Sequence, residues 1–293
     1  MLLFDDAPAW DWLVPELRQA LAALGWVEGT NLRIEWHYAE GDVLRLAALA
    51  AALARSGFDA VLTRGSRATR ALQRASQTLP IITGVGDPLG SGFAQTLARP
   101  GGNITGISYA IVETTQKQLQ FLREVVPRLA HLTIIQRANH RGDVAEGTRT
   151  VEAAAQALGL STRRVQMADA DGLSQALDRA SSPGSQAAYV FGFGTNPDPK
   201  AVAAALVRAR LPSVFPQREY VEAGGLMSYR LDWDNQTQRS AAQIDKVLRG
   251  EAPGNIPFEF PILSDLAINA RTAAALGLSI PPALRLRADL VIE

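Results

Sequence analysis

Two stretches of this chain, about 130 residues apart, run through the same order of strand-like and helix-like segments. That repeat constrains the fold more than any single motif does. Ala23-Leu24-Gly25 returns as Ala157-Leu158-Gly159, and Leu79-Pro80 returns as Leu211-Pro212, so the punctuation keeps step as well as the order. In the first half, a short apolar stub at Leu2–Phe4 precedes Leu13, Leu17, Leu21 and Leu24 at helical spacing over Trp12–Leu24, stopped at Gly25. Asn31–Trp36 alternates Leu32, Ile34 and Trp36 and predicts a strand. Val43–Arg55 reads as a helix, Ala60–Thr63 as a buried strand, and Ser66–Gln77 as a helix opened by a Ser66 N-cap. Leu79–Thr83 follows as a strand that closes on Gly84-Val85-Gly86-Asp87-Pro88. The second half answers with strands at Leu132–Ile135, Ser161–Gln166, Ala188–Phe191 and Leu211–Phe215. Its helices are at Asp143–Leu158, Gly172–Ala180 and Pro199–Ala209.

Strand–helix alternation with short buried strands implies parallel sheets covered by helices on both faces. The fold class is therefore α/β, with two doubly wound parallel-sheet lobes, a hinge and an interlobe cleft. The chain's 293 residues accommodate two lobes of roughly 130–150 each. A further strand at Leu226–Tyr229 and a helix at Thr237–Leu248 need a sheet to join, which places cross-overs near Ser108–Ala110, Tyr229–Leu231 and Phe258–Pro261. The expected lobes are residues 1–108 plus 230–258, and 109–229 plus 259–293.

Composition removes several classes of function. Lys plus Arg is 29 and Asp plus Glu is 29, so the net charge is 0, and without a basic block neither nucleic acid nor an anionic membrane surface is an expected partner. There is no cysteine, hence no disulfide, thiolate nucleophile or Cys-ligated zinc. No apolar run approaches the roughly 18–20 residues that span a bilayer, so direct membrane insertion is not expected. The start, Met1 to Asp6, lacks the charged and apolar regions of a leader peptide. Gly84-Val85-Gly86-Asp87-Pro88-Leu89-Gly90 misses the dinucleotide fingerprint by one residue, and Pro88 breaks its turn. Gly192-Phe193-Gly194 lacks the third glycine, and no lysine (Lys117, Lys200, Lys246) follows a glycine loop. His37, His131 and His140 share no metal-ligating spacing, and the Gly-x-Ser-x-Gly nucleophile elbow is missing. No catalytic set, metal or cofactor is expected.

Sheets of this kind bind ligands beyond the carboxyl ends of their strands. Those ends supply the candidate ligand-binding residues: Asp5 and Asp6 after the first strand; Arg64, Gly65 and Ser66; Gly86 and Asp87; Arg137 and Asn139; Gly194 and Thr195; Arg218 and Glu219. Arg64, Arg137 and Arg218 fall in three different loops, and a guanidinium offers a planar fork to a carboxylate. Helix N-termini after Gly65 and Asn196 add positive potential. Asp87 follows two glycines that let backbone approach a ligand, and its carboxylate is expected to hold a polar or amine group. Trp10 and Trp12 are candidates to cover an aromatic or aliphatic portion. The charge pattern favours a carboxylate-bearing solute over a cation.

Four stretches carry a family resemblance in sequence order: Leu24-Gly25-Trp26-Val27-Glu28-Gly29-Thr30-Asn31-Leu32, Arg99-Pro100-Gly101-Gly102-Asn103-Ile104-Thr105-Gly106, Arg218 to Tyr229, and Asn269 to Pro282. Together they resemble the ABC-transporter substrate-binding proteins of the type I periplasmic-binding-protein fold, over nearly the whole chain. The resemblance implies a non-enzymatic, extracytoplasmic or periplasmic receptor that captures a small solute by hinge closure. The receptor then presents the solute to the membrane permease of an ABC importer. It implies amino acids or aromatic acids as ligands and contacts at Asp87 and at Arg218-Glu219. The chain departs from the family pattern at Thr63-Arg64-Gly65-Ser66, where small residues are usual, and at Gln136-Arg137-Ala138-Asn139-His140, where an Asn/Pro-rich loop is usual. Two rival classes are a cofactor-free enzyme on two flavodoxin-like lobes, and the effector-binding core of a regulator without its DNA-binding module.

Overall fold

The computed structural model describes residues 2–3, 13–137, 143–167, 185–191, 198–231, 233–260 and 263–293. The chain divides into two compact units, Met1–Ala110 with Asp232–Ile262, and Ile111–Leu231 with Leu263–Glu293. It therefore passes from one unit to the other three times.

In the first unit the order is β1 (Leu2–Leu3), α1 (Leu13–Ala23), β2 (His37–Tyr38), α2 (Val43–Leu53), β3 (Val61–Arg64), α3 (Ser66–Ala75), β4 (Ile81–Val85) and β5 (Ile104–Ser108). The described strands pair in the order β2-β1-β3-β4-β5, all in parallel. Every residue of β3, β4 and β5 is buried, as a sheet covered on both faces requires. Successive side chains go to opposite faces. Val61 and Ile81 pack with Leu46 and Ala50 of α2 and Leu72 of α3. Leu62 and Ile82 pack with Leu17 and Leu21 of α1 on the other face.

The second unit opens with α4 (Ile111–Val125), β6 (His131–Arg137), α5 (Asp143–Ala157), β7 (Ser161–Met167), β8 (Ala187–Phe191) and α6 (Pro199–Arg208). It continues through β9 (Ser213–Phe215), α7 (Glu219–Glu222) and β10 (Met227–Leu231). The chain then returns to the first unit for α8 (Trp233–Leu248), whose Ala241, Ile244 and Val247 join the α1 face. It finishes in the second unit with β11 (Leu263–Asn269), α9 (Ala270–Ala275), α10 (Pro282–Arg287) and β12 (Leu290–Ile292). The described strands of this sheet pair in the order β12-β11-β10-β9-β8-β6-β7. Leu132, Ile134 and Tyr189 face the cluster that holds α4 and α5, while Ile135, Ala188 and Val190 face α6. The Tyr189 hydroxyl donates to Gln118 Oε1 at 2.6 Å, and Gln118 Nε2 donates to the Tyr229 carbonyl at 2.6 Å, which fastens α4 to the sheet.

Several sequence expectations are corrected. Asn31–Trp36 is not a strand; the strand is His37–Tyr38. Asn31 instead closes a turn, its Oδ1 accepting from Val27 N at 2.7 Å and its Nδ2 donating to the Gly25 carbonyl at 2.9 Å. Leu32, Ile34 and Trp36 alternate because one side packs on the α1–α8 core, without a ladder. Ser66 is not the cap of α3 but its first residue: Gly65 caps it with φ 83°, and a glycine brings no side chain to the cap. The sheets are not wholly parallel, since β10 and β11 run antiparallel. The helix expected from Thr237 begins at Trp233. The helix expected at Gly172–Ala180 lies outside the described residues.

One close approach fixes how β4 and β5 meet. Gly106 lies opposite Thr83 with φ 155°, and a Cβ there would come within 1.8 Å of the Thr83 carbonyl oxygen. Gly106→Ala should lower the unfolding free energy by about 3 kcal/mol or more, whereas Gly102→Ala, with open space around it, should stay within about 0.5 kcal/mol. Equilibrium urea denaturation of the two variants checks this.

Candidate functional site

The carboxyl ends of β3, β4 and β5 share one edge of the first sheet, because parallel register puts Arg64 opposite Gly84 and Gly84 opposite Ile107. Arg64 is the last residue of β3 and is only 5% exposed. Keeping a guanidinium charged at such a place is costly unless its donors find acceptors. Directly after it, Gly65 N donates to the Gly84 carbonyl at 2.8 Å, and α3 begins. Thr69 anchors that helix start, with its hydroxyl 2.9 Å from the Gly65 carbonyl and 2.6 Å from the Thr83 hydroxyl. The edge thus combines a buried cation with a helix N-terminus whose cap residue is a glycine, and both favour an anion.

The neighbouring loops complete this edge. Gly86 and Asp87 follow β4 and are half-buried. Asp87 is not simply presented outward: its Oδ1 accepts from Gly90 N at 2.8 Å, so the carboxylate caps its own loop. Ser108, the last residue of β5, is buried, and Tyr109 N after it donates to the Val85 carbonyl at 2.7 Å. The Tyr109 ring lies on Gly84, where any Cβ would be 2.0 Å from the phenol oxygen. Burial raises the Tyr109 pKa above the usual phenol range, and the Arg64 charge opposes the rise. Sequence reasoning missed Tyr109; the signal was available in Tyr109-Ala110 at an expected cross-over.

In the second unit, Arg218 sits between β9 and α7. Its Nη1 lies 3.2 and 3.1 Å from the two carboxylate oxygens of buried Asp265, and its Nε donates to Glu222 at 3.1 Å. Arg230, opposite Asp265 in the β10–β11 ladder, donates to the same carboxylate at 2.6 Å. Asp265 and Glu222 thus both engage the guanidinium that the sequence analysis places as a fork for a ligand. Asp265 was missed because β11 was not recognised as a strand; an acid within an apolar run was the available signal. Glu219 is exposed in the first turn of α7. Its charge, with burial as the larger cause, pushes the neighbouring Tyr220 up to about 12. Arg137 is the last residue of β6. Asp5, Asp6, Trp10, Trp12, Asn139, His140, Gly194 and Thr195 lie outside the described residues. The structure therefore brings Arg64, Gly65, Ser66, Gly86 and Asp87 to one sheet edge, and Arg218 and Glu219 to another.

Residues 3–292 match the ABC transporter substrate binding protein family. The chain belongs to that family. A tyrosine-binding protein of Clostridioides difficile is 26% identical over 118 residues, which is 40% of this chain and 34% of that protein, so the match spans about a third of the relative's length. Among solved structures, an ABC domain from Streptococcus pneumoniae in complex with L-Trp superposes with a TM-score of 0.76 at 23% identity, covering 99% of this chain and 98% of that one. A conserved domain protein of Vibrio cholerae gives 0.77 at 22% identity, covering 99% and 97%. These likenesses fix the α/β periplasmic-binding-protein-like fold. As a substrate-binding protein, the chain falls in a family of receptors rather than enzymes. Among the described residues, no group of acidic or histidine side chains is placed to hold a metal ion, and no helix is long and apolar enough to cross a membrane.

Asp265 holds two arginines in place, and removing its charge leaves Arg218 with Glu222 and Arg230 without this carboxylate. Asp265→Asn should destabilise the second unit by about 2 kcal/mol, at the lower side of buried-pair losses because both arginines are partly solvated. Urea titration at neutral pH measures it. Tyr220 provides a pH test. A phenol raised from 10.0 to about 12 contributes stability that is complete below pH 10 and is lost as pH climbs toward 12. Tyr220→Phe should make the alkaline decline shallower by about 1.4 kcal/mol per pH unit above pH 10. Urea midpoints at pH 9, 10 and 11 read that slope.

Proposed function

We propose that this chain is the solute receptor of an ABC import system and captures a small carboxylate-bearing molecule, with an amino acid or aromatic acid favoured. The observation that carries the reading is the buried Arg64 guanidinium at a strand's carboxyl end, beside the glycine-capped start of α3. The family membership supplies the receptor class, and the tyrosine- and tryptophan-binding relatives favour amino acids. In this reading Arg64, Gly65 and Ser66 meet the acid group. Gly86 and Asp87 line the same edge. Arg218 and Glu219, with the loops bearing Asp5, Asp6, Arg137, Asn139, Gly194 and Thr195, contribute the remaining contacts. Solute favours a closed arrangement of the two units through contacts with both. The receptor works outside the cytoplasmic membrane, delivers its solute to a permease, and leaves the solute chemically unchanged.

The test is a thermal-shift and calorimetric screen of the purified protein against amino acids, aromatic acids and polyamines. Saturating an amino acid at 100 times its Kd should add about 2.7 kcal/mol to the unfolding free energy. Mass spectrometry of the recovered solute should show it intact. Binding confined to polyamines, or turnover of the hit, would refute the reading.

A further inference from the structure

We propose that Arg70 is a positioning residue for solute binding: from α3 it clamps the turn after β4, so that the start of α3 and the Gly86-Asp87 step keep a fixed spacing before any solute arrives. The inference rests on the solute-receptor reading above and deepens it by naming what holds that edge in shape. Residues 86–103, between β4 and β5, contain no helix or strand. A connection longer than about 12–15 residues without secondary structure is uncommon in a compact unit, and such segments are often functional. Left unbraced, it would have to be ordered at each binding event, at an entropic cost.

The turn at its start is instead built in advance. Ser91 N donates to the Asp87 carbonyl at 3.1 Å, Gly92 N to that of Leu89 at 2.9 Å, and Phe93 N to that of Pro88 at 2.9 Å. Gly90 N donates to Asp87 Oδ1, and a Cβ at position 90 would lie 2.1 Å from Asp87 Oδ2. Phe93 is buried in the cluster that contains Ala68 and Leu72 of α3. Arg70 and Gln73, one turn apart on the same face of α3, fasten the turn from the side. The Arg70 guanidinium donates to the Ser91 carbonyl and, at 2.9 Å, to Gln73 Oε1, and it lies 4.5 Å over the Phe93 ring. Gln73 Nε2 donates to the Gly92 carbonyl at 3.0 Å. Arg70 therefore acts on Asp87 through Ser91, whose N–H holds the Asp87 carbonyl. At its other end α3 is tied to β4, by Gly65 N on the Gly84 carbonyl and by the Thr69 and Thr83 hydroxyls. Helix start, strand end and turn form one braced piece within the first unit. The clamp works through contacts already made, and it governs the fraction of molecules whose turn is in place for solute.

The experiment measures L-tyrosine and L-tryptophan binding by calorimetry and stopped-flow fluorescence, with wild type, Arg70→Met, Arg70→Lys, Gln73→Leu and Leu53→Ala. If losing the clamp leaves about a tenth of the molecules competent, Arg70→Met raises Kd about tenfold. The loss should fall on the association rate, because the contacts that retain bound solute are unchanged. Arg70→Lys, which keeps a cation on Phe93 but not the fork, and Gln73→Leu should each raise Kd by less. Leu53→Ala removes part of the same core at the last residue of α2; it should lower the urea midpoint and leave Kd unchanged, as purely structural damage does. Hydrogen exchange of solute-free wild type should already be slow at the amides of Gly90, Ser91, Gly92 and Phe93, which decides the matter even where Arg70→Met fails to fold. Fast exchange there that slows only with solute overturns the inference. So does a wild-type Kd in both Arg70→Met and Gln73→Leu, or a loss confined to the dissociation rate; each leaves the receptor reading standing. Absence of binding by wild type to every amino acid overturns both.

Discussion

The register of β3, β4 and β5 is the constraint on which the first unit's edge depends. Arg64 faces Gly84, Gly84 faces Ile107, and Thr83 faces Gly106. A slip of one residue in any pair would turn the apolar side chains of a fully buried strand to the wrong faces, where α1 and α8 or α2 and α3 wait for them. Two glycines hold the arrangement to close tolerance. Gly106 brings β5 against the β4 backbone, and Gly84 leaves room for the Tyr109 ring. Core packing and site geometry are thus set by the same hydrogen-bonded ladder.

Two arginines read alike in sequence end in different physical situations. Arg64 finishes a central strand and is buried beside a phenol and a glycine-capped helix start. Arg218 stands at a short helix, partly solvated, with Asp265 and Glu222 already on its donors. The first is set by burial at the end of a strand, while the second is set by the carboxylates of Asp265 and Glu222. A residue type and a loop position describe both equally well; only burial and neighbours separate them.

Each unit is assembled from distant parts of the chain, and the returning segments are held by specific polar contacts. The α8 residue Gln243 donates from Nε2 to the Gly106 carbonyl at 3.0 Å and to the Pro257 carbonyl at 3.3 Å, and Thr105 donates to the Ile256 carbonyl at 2.8 Å. Ser108 N and Glu259 N complete the join, donating to the carbonyls of Glu259 and Gly106 at 2.8 and 3.0 Å. In the second unit, β11 enters antiparallel to β10, and its Asp265 gathers Arg218 and Arg230. A helix or strand that arrives from the other unit adds a face that no neighbouring sequence could supply.

By itself, the sequence determined the repeated α/β order, the positions of most strands and helices, the family, and the loops where chemistry belongs. These follow from local patterns: apolar spacing, glycine stops and buried β-branched runs are written within a dozen residues. It misread Asn31–Trp36, because one-sided packing and a ladder leave the same alternation. It did not show that Asp87 caps its own loop or that Asp265 and Glu222 engage Arg218, because such contacts leave no mark in a string of letters. Tertiary structure alone decided that Tyr109 rests on Gly84 beside Arg64, and that Asp265 stands between two arginines. Those contacts join residues on different strands, and their distances come from sheet register and burial, quantities that no local pattern encodes.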